Sequence, residues 1–141
     1  MPTADPYNLN RFVQGQNPVY EQVLSELKNG AKASHWMWFI FPQIKGLGHS
    51  SISIEYAIAS LDEARAYLNH PVLGPRLKEC THLVLSTQGR SIKQIFGNPD
   101  DMKFRSSVTL FAQVSPDEDI FAAALTKYFG GAPDQLTLDR L

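Results

Sequence analysis

His35-Trp36-Met37-Trp38-Phe39-Ile40-Phe41-Pro42-Gln43 is the stretch whose reading decides this fold. An unbroken run of large apolar and aromatic side chains stands between a histidine and a Pro-Gln pair, and both tryptophans of the chain lie in it. No other segment offers as much apolar area per residue for burial. Because every position is apolar, periodicity does not classify the run: a buried strand and a buried helical turn fit equally well. Pro42 biases Phe41 towards extended backbone and stops any helix there. Tryptophans two positions apart point to opposite faces of a strand, or roughly 200° apart on a helix. One can therefore pack inward while the other lines a cleft.

Towards the amino terminus, Asn17-Pro18 reads as an N-cap followed by a first-turn proline. Tyr20, Val23, Leu24 and Leu27 follow at helical spacing, and Asn29-Gly30 is the stop. Before that, Asn8 is placed to cap a short helix through Leu9, Phe12 and Val13, broken at Gly15-Gln16. Towards the carboxyl terminus, residues 43–51 read as a loop around Gly46 and Gly48. That loop is a weak phosphate cradle, since neither the Walker nor the dinucleotide pattern is present. Ile52, Ile54, Tyr56 and Ile58 alternate as in a strand, and the same residues also allow a helical turn. Ser60 and Glu63 form a capping-box pattern ahead of a helix through Leu68. The next helix runs from Pro71 or Pro75 through Leu77, Cys80 and Val84 to a stop at Gly89. Ser91 and Gln94 repeat the capping box before a short helix ending at Gly97. Pro99 opens another helix, Ser115-Pro116-Asp117-Glu118 opens the last long one, and a final turn follows Pro133. The sum is a mainly α, single compact domain over residues 1–141, with six to seven helices and room for a small strand pair.

The 141 residues are 43% hydrophobic and 19% charged, which suits a folded domain with a sizeable core. A formal net charge of -1 gives no electrostatic reason to expect nucleic acid or an anionic membrane. No apolar run approaches the ~20 residues of a membrane span, and the first residues show no signal pattern. A soluble, reducing, cytoplasmic setting is expected. Cys80 stands alone, so neither an intrachain disulfide nor a cysteine-built metal site is available. His35, His49, His70 and His82 show no metal-ligand spacing. No metal and no cofactor is implied, a small-molecule ligand is the expected partner, and oligomeric state is not readable.

On a helix from Pro99 to Val114, Phe104, Val108 and Phe111 form the core stripe. Asp101, Arg105, Thr109 and Ala112 then face solvent, and Lys103, Ser106 and Ser107 fall on the border. An ammonium and two hydroxyls on a half-buried border need partners. They bind neighbouring carbonyls, or they hold an anionic or hydroxyl-rich ligand, and Asp100 also offers Lys103 a simple helix-face pair. Aromatic faces edged by a few polar groups suit a planar ring. The ligand-binding reading places Trp36 or Trp38 on such a ring, with Lys32 and Gln43 at the edges of the aromatic run. Lys103, Ser106, Ser107 and Arg76 meet phosphate or ribose, and His35 or Asp101 moves a proton. Cys80, on an apolar helical face, reads as inert core. The competing reading makes the aromatic run purely structural and the protein a non-catalytic interaction module.

These residues resemble a known bacterial family, catalogued as domain of unknown function 1810. The resemblance lies in Asn8-Leu9-x-Arg11-Phe12-Val13, in the nine-residue aromatic motif with Gly46-Leu47-Gly48-x-Ser50, in Ala66-Tyr67-Leu68-x-His70-Pro71, and in Ile95-Phe96-Gly97 through Phe111. It departs at Asn8, where the family more often carries Asp. It implies a mainly helical fold and no established activity. The label calpastatin-like that some members carry does not suit this compact, apolar chain, since calpain inhibitors are polar and disordered. A more distant similarity is to the NADAR family, carried by helical layout and by Phe96-Gly97 with the helix that follows. It implies the handling of ADP-ribose-type N-glycosides, and with it N-glycosidic hydrolysis.

Overall fold

The structure is a computed structural model, and it describes residues 5–115 and 119–141. Ten helices follow one another among those residues: α1 (Asn10–Gln16), α2 (Tyr20–Lys28), α3 (Met37–Ile40), α4 (Ser51–Glu55), α5 (Leu61–Asn69), α6 (Leu73–Ser86), α7 (Ile92–Phe96), α8 (Asp100–Val114), α9 (Asp119–Phe129) and α10 (Gln135–Leu138). The short helix α7 is the one expected after Ser91, and the count exceeds the six to seven expected because α3, α4 and the final turn α10, of only four or five residues, are helical as well. Most of these are too short to show a period. The strand pair reduces to one isolated parallel bridge between Ile44 and Ile58, and no sheet forms among the described residues. The alternating run before Ile58 is helix α4.

The aromatic run is a helical turn. Phe41 N–H donates to the Met37 carbonyl at 3.0 Å, and Pro42 follows as the stop. Trp36, Met37, Ile40 and Phe41 are buried, and Trp38 alone of the run's large side chains is turned part-way to solvent. Its rings join an aromatic cluster with α7 and α8. Phe104 lies 5.0 Å from both Phe41 and Phe96, and Trp36 meets Phe96 edge-on at 6.4 Å. Such pairs add ~0.5–1.5 kcal/mol each beyond the area they bury.

Helix α8 is the centre of the molecule, packed against α5, α7, α9 and α10. Neighbours on several sides leave it no broad wet face. Asp101 and Thr109, expected in solvent, are buried, as are Ser106, Ser107 and Leu110. A helical wheel divides one helix into two faces and does not see the elements that cover the second.

Local signals hold where the partners are close in sequence. The Ser91–Gln94 capping box forms in both directions, with Gln94 N–H donating to Ser91 Oγ at 3.1 Å and Ser91 N–H to Gln94 Oε1 at 2.7 Å. At α5 only half the box forms: Glu63 N–H reaches Ser60 Oγ, but the Glu63 carboxylate turns to Ala59 N–H and to Arg11. The cap expected from Asn8 comes from Asp5, whose carboxylate accepts from Leu9 and Asn10 N–H at 2.8 and 3.0 Å. Asn8 takes φ 51° instead, a conformation that asparagine tolerates better than most residues. Gly15 does not break α1. Its bare face admits Phe39 and the Tyr56 hydroxyl, which a Cβ would meet at 3.1 and 3.2 Å. Helix α2 begins at Tyr20, after Val19, with no side-chain cap from Asn17. Residues 116–118 of the expected Ser115–Glu118 start lie outside the described residues.

Beneath the aromatic turn sits a buried carboxylate. Glu26 Oε1 accepts from Ala33 N–H, Ser34 N–H and Trp36 Nε1–H at 2.7, 3.0 and 2.9 Å, and Oε2 accepts from Gln22 and the Ser34 hydroxyl. Burial alone would push its carboxyl up. The hydrogen bonds from Ser34, Ala33 and Gln22 outweigh burial and hold it at about 2, against an ordinary 4.5.

Candidate functional site

Trp38 is where the aromatic turn meets α8. Lys103 Nζ stands 5.6 Å from the Trp38 ring centroid, and the exposed His35 ring lies 6.5 Å away on a tilted plane. Asp100, at the start of α8, pairs with Lys32 at 2.8 Å and with Lys103 at 3.6 Å. Lys32 is 7% exposed and Lys103 25%. The closer, buried Lys32 takes up the Asp100 charge, so Lys103 keeps a surplus positive charge near the surface. Lys32 also lies over Trp36, at 5.2 Å.

Beside Lys103 opens a cleft of about 240 Å³. Gln43 and Gly48 line it from the loop after the aromatic turn, Lys103 and Ser106 from α8, and Asp134 and Leu136 from the carboxyl-terminal segment. Asp134 ties that segment to α8. Its Oδ2 accepts from the Ser106 and Thr137 hydroxyls at 2.7 and 2.6 Å, and its N–H donates to Thr109 Oγ1 at 2.9 Å. Arg105 adds hydrogen bonds to the carbonyls of Ala132 and Pro133. A carboxylate has about four lone-pair sites, and among the described residues Oδ1 receives no hydrogen bond. Asp134 is thus a mostly buried residue that lines the cleft and has one carboxylate oxygen without a hydrogen bond among the described residues.

Of the residues expected at a site, Gln43, Lys103 and Ser106 line this cleft, and Trp38 backs it through Lys103 and Gln43. The others do not. Trp36 is fully buried, with its Nε1–H on Glu26. Lys32 is held inside by Asp100. Ser107 is buried in the core with no hydrogen-bond partner for its hydroxyl. Asp101 serves the start of α8, accepting from Met102 N–H at 2.8 Å and the Asn98 amide at 3.3 Å. Arg76 belongs to another cluster, lying 4.5 Å over the Tyr20 ring and donating to Asn17 and Gln16. His35 borders Trp38 but not the cleft. Cys80 is buried, and burial pushes its thiol up to about 12, which leaves it unreactive near neutral pH. Asp134 is not among the residues expected at a site from sequence. Its only trace there is an aspartate just after a proline, three residues before a threonine.

The sequence profile of a family described as a protein of unknown function, DUF1810, matches residues 6–141. The chain is a DUF1810 protein. It is similar to the crystal structure of the conserved hypothetical protein Rv1873 from Mycobacterium tuberculosis, at 55% identity and a TM-score of 0.96, over 97% of this chain and 98% of that one. No curated protein matches it. None of these matches links the DUF1810 chain to the NADAR family, so any ADP-ribose reading rests on the site itself.

Larger hollows exist on this DUF1810 protein. One of about 650 Å³ is lined by Arg11, Lys45, His49 and Glu63, and shares Gly48 with the smaller cleft. Its arginine is already engaged: Arg11 donates to the carbonyls of Tyr7, Asn8, Glu55 and Ala57 and to Glu63. That guanidinium holds three chain segments together and has no donor pair left for a ligand. Among the described residues no group of three His, Cys, Asp or Glu side chains is placed to hold a metal, and no helix is long and apolar enough to cross a membrane.

Proposed function

We propose that this protein binds a small, phosphate-bearing, nucleotide-derived molecule, with ADP-ribose as its representative, in the cleft beside Lys103. The observation that carries the reading is the pairing of charges there. An ammonium that shares its helix-face partner Asp100 with the closer Lys32, and a carboxylate whose Oδ1 receives no hydrogen bond among the described residues, line the same hollow. The volume of about 240 Å³ lies below the roughly 300–1,000 Å³ of sites for drug-sized ligands. It suits the sugar-phosphate part of such a molecule and not a whole dinucleotide. The remainder would lie over the rim, where Met102 and Leu136 are 43% and 63% exposed and offer apolar surface to a ring.

Binding fits the geometry better than hydrolysis of an N-glycosidic bond. Glycosidases commonly flank the bond with two carboxyl groups, and the cleft is lined by one, Asp134. The exposed pair Met102 and Leu136 favours a second reading, in which the rim docks a protein partner. Isothermal calorimetry with ADP-ribose at low salt separates the two. The ligand reading expects saturable binding that Lys103→Ala weakens by about ten- to a hundredfold, the worth of one charge-assisted hydrogen bond. Absence of binding, or equal affinity in Lys103→Ala, overturns it in favour of the docking surface.

A further inference from the structure

We infer that Asp134 sets the specificity of this cleft by accepting hydrogen bonds from sugar hydroxyls, so that the site takes a ribose and discriminates against its deoxy forms. The inference rests on the ligand reading above and adds to it the chemical class of the ligand's second end. Lys103 is donor-only and cationic, whereas an ionised Asp134 is acceptor-only and anionic. A ligand spanning both must bring negative charge to one side and hydroxyl donors to the other. Two anionic ends would place like charges together at Asp134, at a cost in affinity.

The environment of Asp134 is built for that task. Ser106 and Thr137 occupy Oδ2, and the Thr109 hydroxyl fixes the backbone, so the carboxylate is held in one orientation. Oδ1 receives no hydrogen bond among the described residues, and Asp134 lines the cleft, so its lone pairs are those left for a ligand hydroxyl. Gln43, which lines the same hollow, carries both a donor and an acceptor and can complete the contacts of a neighbouring hydroxyl. A ribose phosphate has this arrangement of groups: phosphate at one end and two adjacent hydroxyls at the other.

The test is calorimetry on the intact chain with AMP, 2′-deoxy-AMP, 3′-deoxy-AMP and inorganic phosphate. AMP is expected to bind about ten- to a hundredfold more tightly than at least one deoxy form, since a hydrogen bond to a charged acceptor is lost. Asp134→Asn is expected to bring AMP down to that deoxy level while inorganic phosphate binds within about twofold of wild type. If Asp134→Asn fails to fold, the wild-type comparison decides by itself. Should AMP and both deoxy forms bind alike, the role of Asp134 is refuted while the Lys103 anion site stands. Should no nucleotide bind, ADP-ribose included, the ligand reading falls and takes this inference with it.

Discussion

Replacing Glu26 by glutamine tests how the aromatic turn is held. The carboxylate collects three donors on Oε1 and two on Oε2, and all but Gln22 come from the segment leading into α3. A folded value of about 2 against an ordinary 4.5 corresponds to about 3 kcal/mol of stability. The folded value is the lower one, so this contribution is complete above about pH 4.5 and is lost as the pH falls towards about 2. Glu26→Gln has no such charge. Urea titrations followed by tryptophan fluorescence at several pH values give the difference between the two proteins directly, with other carboxylates cancelling. That difference should be about 3 kcal/mol near neutral pH and should shrink steadily below pH 4.5. If the two proteins lose stability in parallel from pH 4.5 to 2, the charge on Glu26 is not what holds Trp36 and Ser34, and the reasoning is wrong.

Two further substitutions test the core. Ser107→Ala removes a buried hydroxyl with no partner, so it should leave the protein as stable as wild type or up to ~1 kcal/mol more so, with ADP-ribose affinity unchanged; a thermal melt that drops by several degrees refutes this. Gly74→Ala sets helix propensity, worth ~1 kcal/mol in favour of alanine, against a Cβ that would lie 2.1 Å from the Leu68 carbonyl oxygen. The clash with backbone should win by ~1–3 kcal/mol net, read as a lower urea midpoint with unchanged slope.

How much of the molecule was legible depends on how far each residue reaches. The box of Ser91 and Gln94 closes within three residues, and it forms as its pattern implies. The glutamate three residues after Ser60 carries the same pattern but spends its carboxylate on Arg11, 52 positions away. The site shows the same division. The border position of Lys103 and Ser106 on α8 was readable from a helical wheel, and both line the cleft. Ser107 has the same chemistry one residue on, yet α8 is covered on that side and its hydroxyl meets only core. Asp134 gains its importance from Ser106 and Thr109, 28 and 25 positions earlier, and no local pattern announces partners at that range.

The order of hydrophobic and capping residues along the chain was enough to settle that this is a helical domain and where its long helices lie. It was enough, too, to mark the aromatic run as the segment with most apolar area to bury, though not which of its rings would be core and which would meet a cleft. Which tryptophan turns outward, which lysine stays near the surface and which carboxylate lines the cleft were decided by packing. Each depends on a neighbour brought close by the fold: Glu26 under Trp36, Lys32 on Asp100, Ser106 against Asp134. A polar group's role is set by the partner it finds, and in two of these three pairs, Lys32 with Asp100 and Ser106 with Asp134, α8 supplies one member to a segment far from it in sequence.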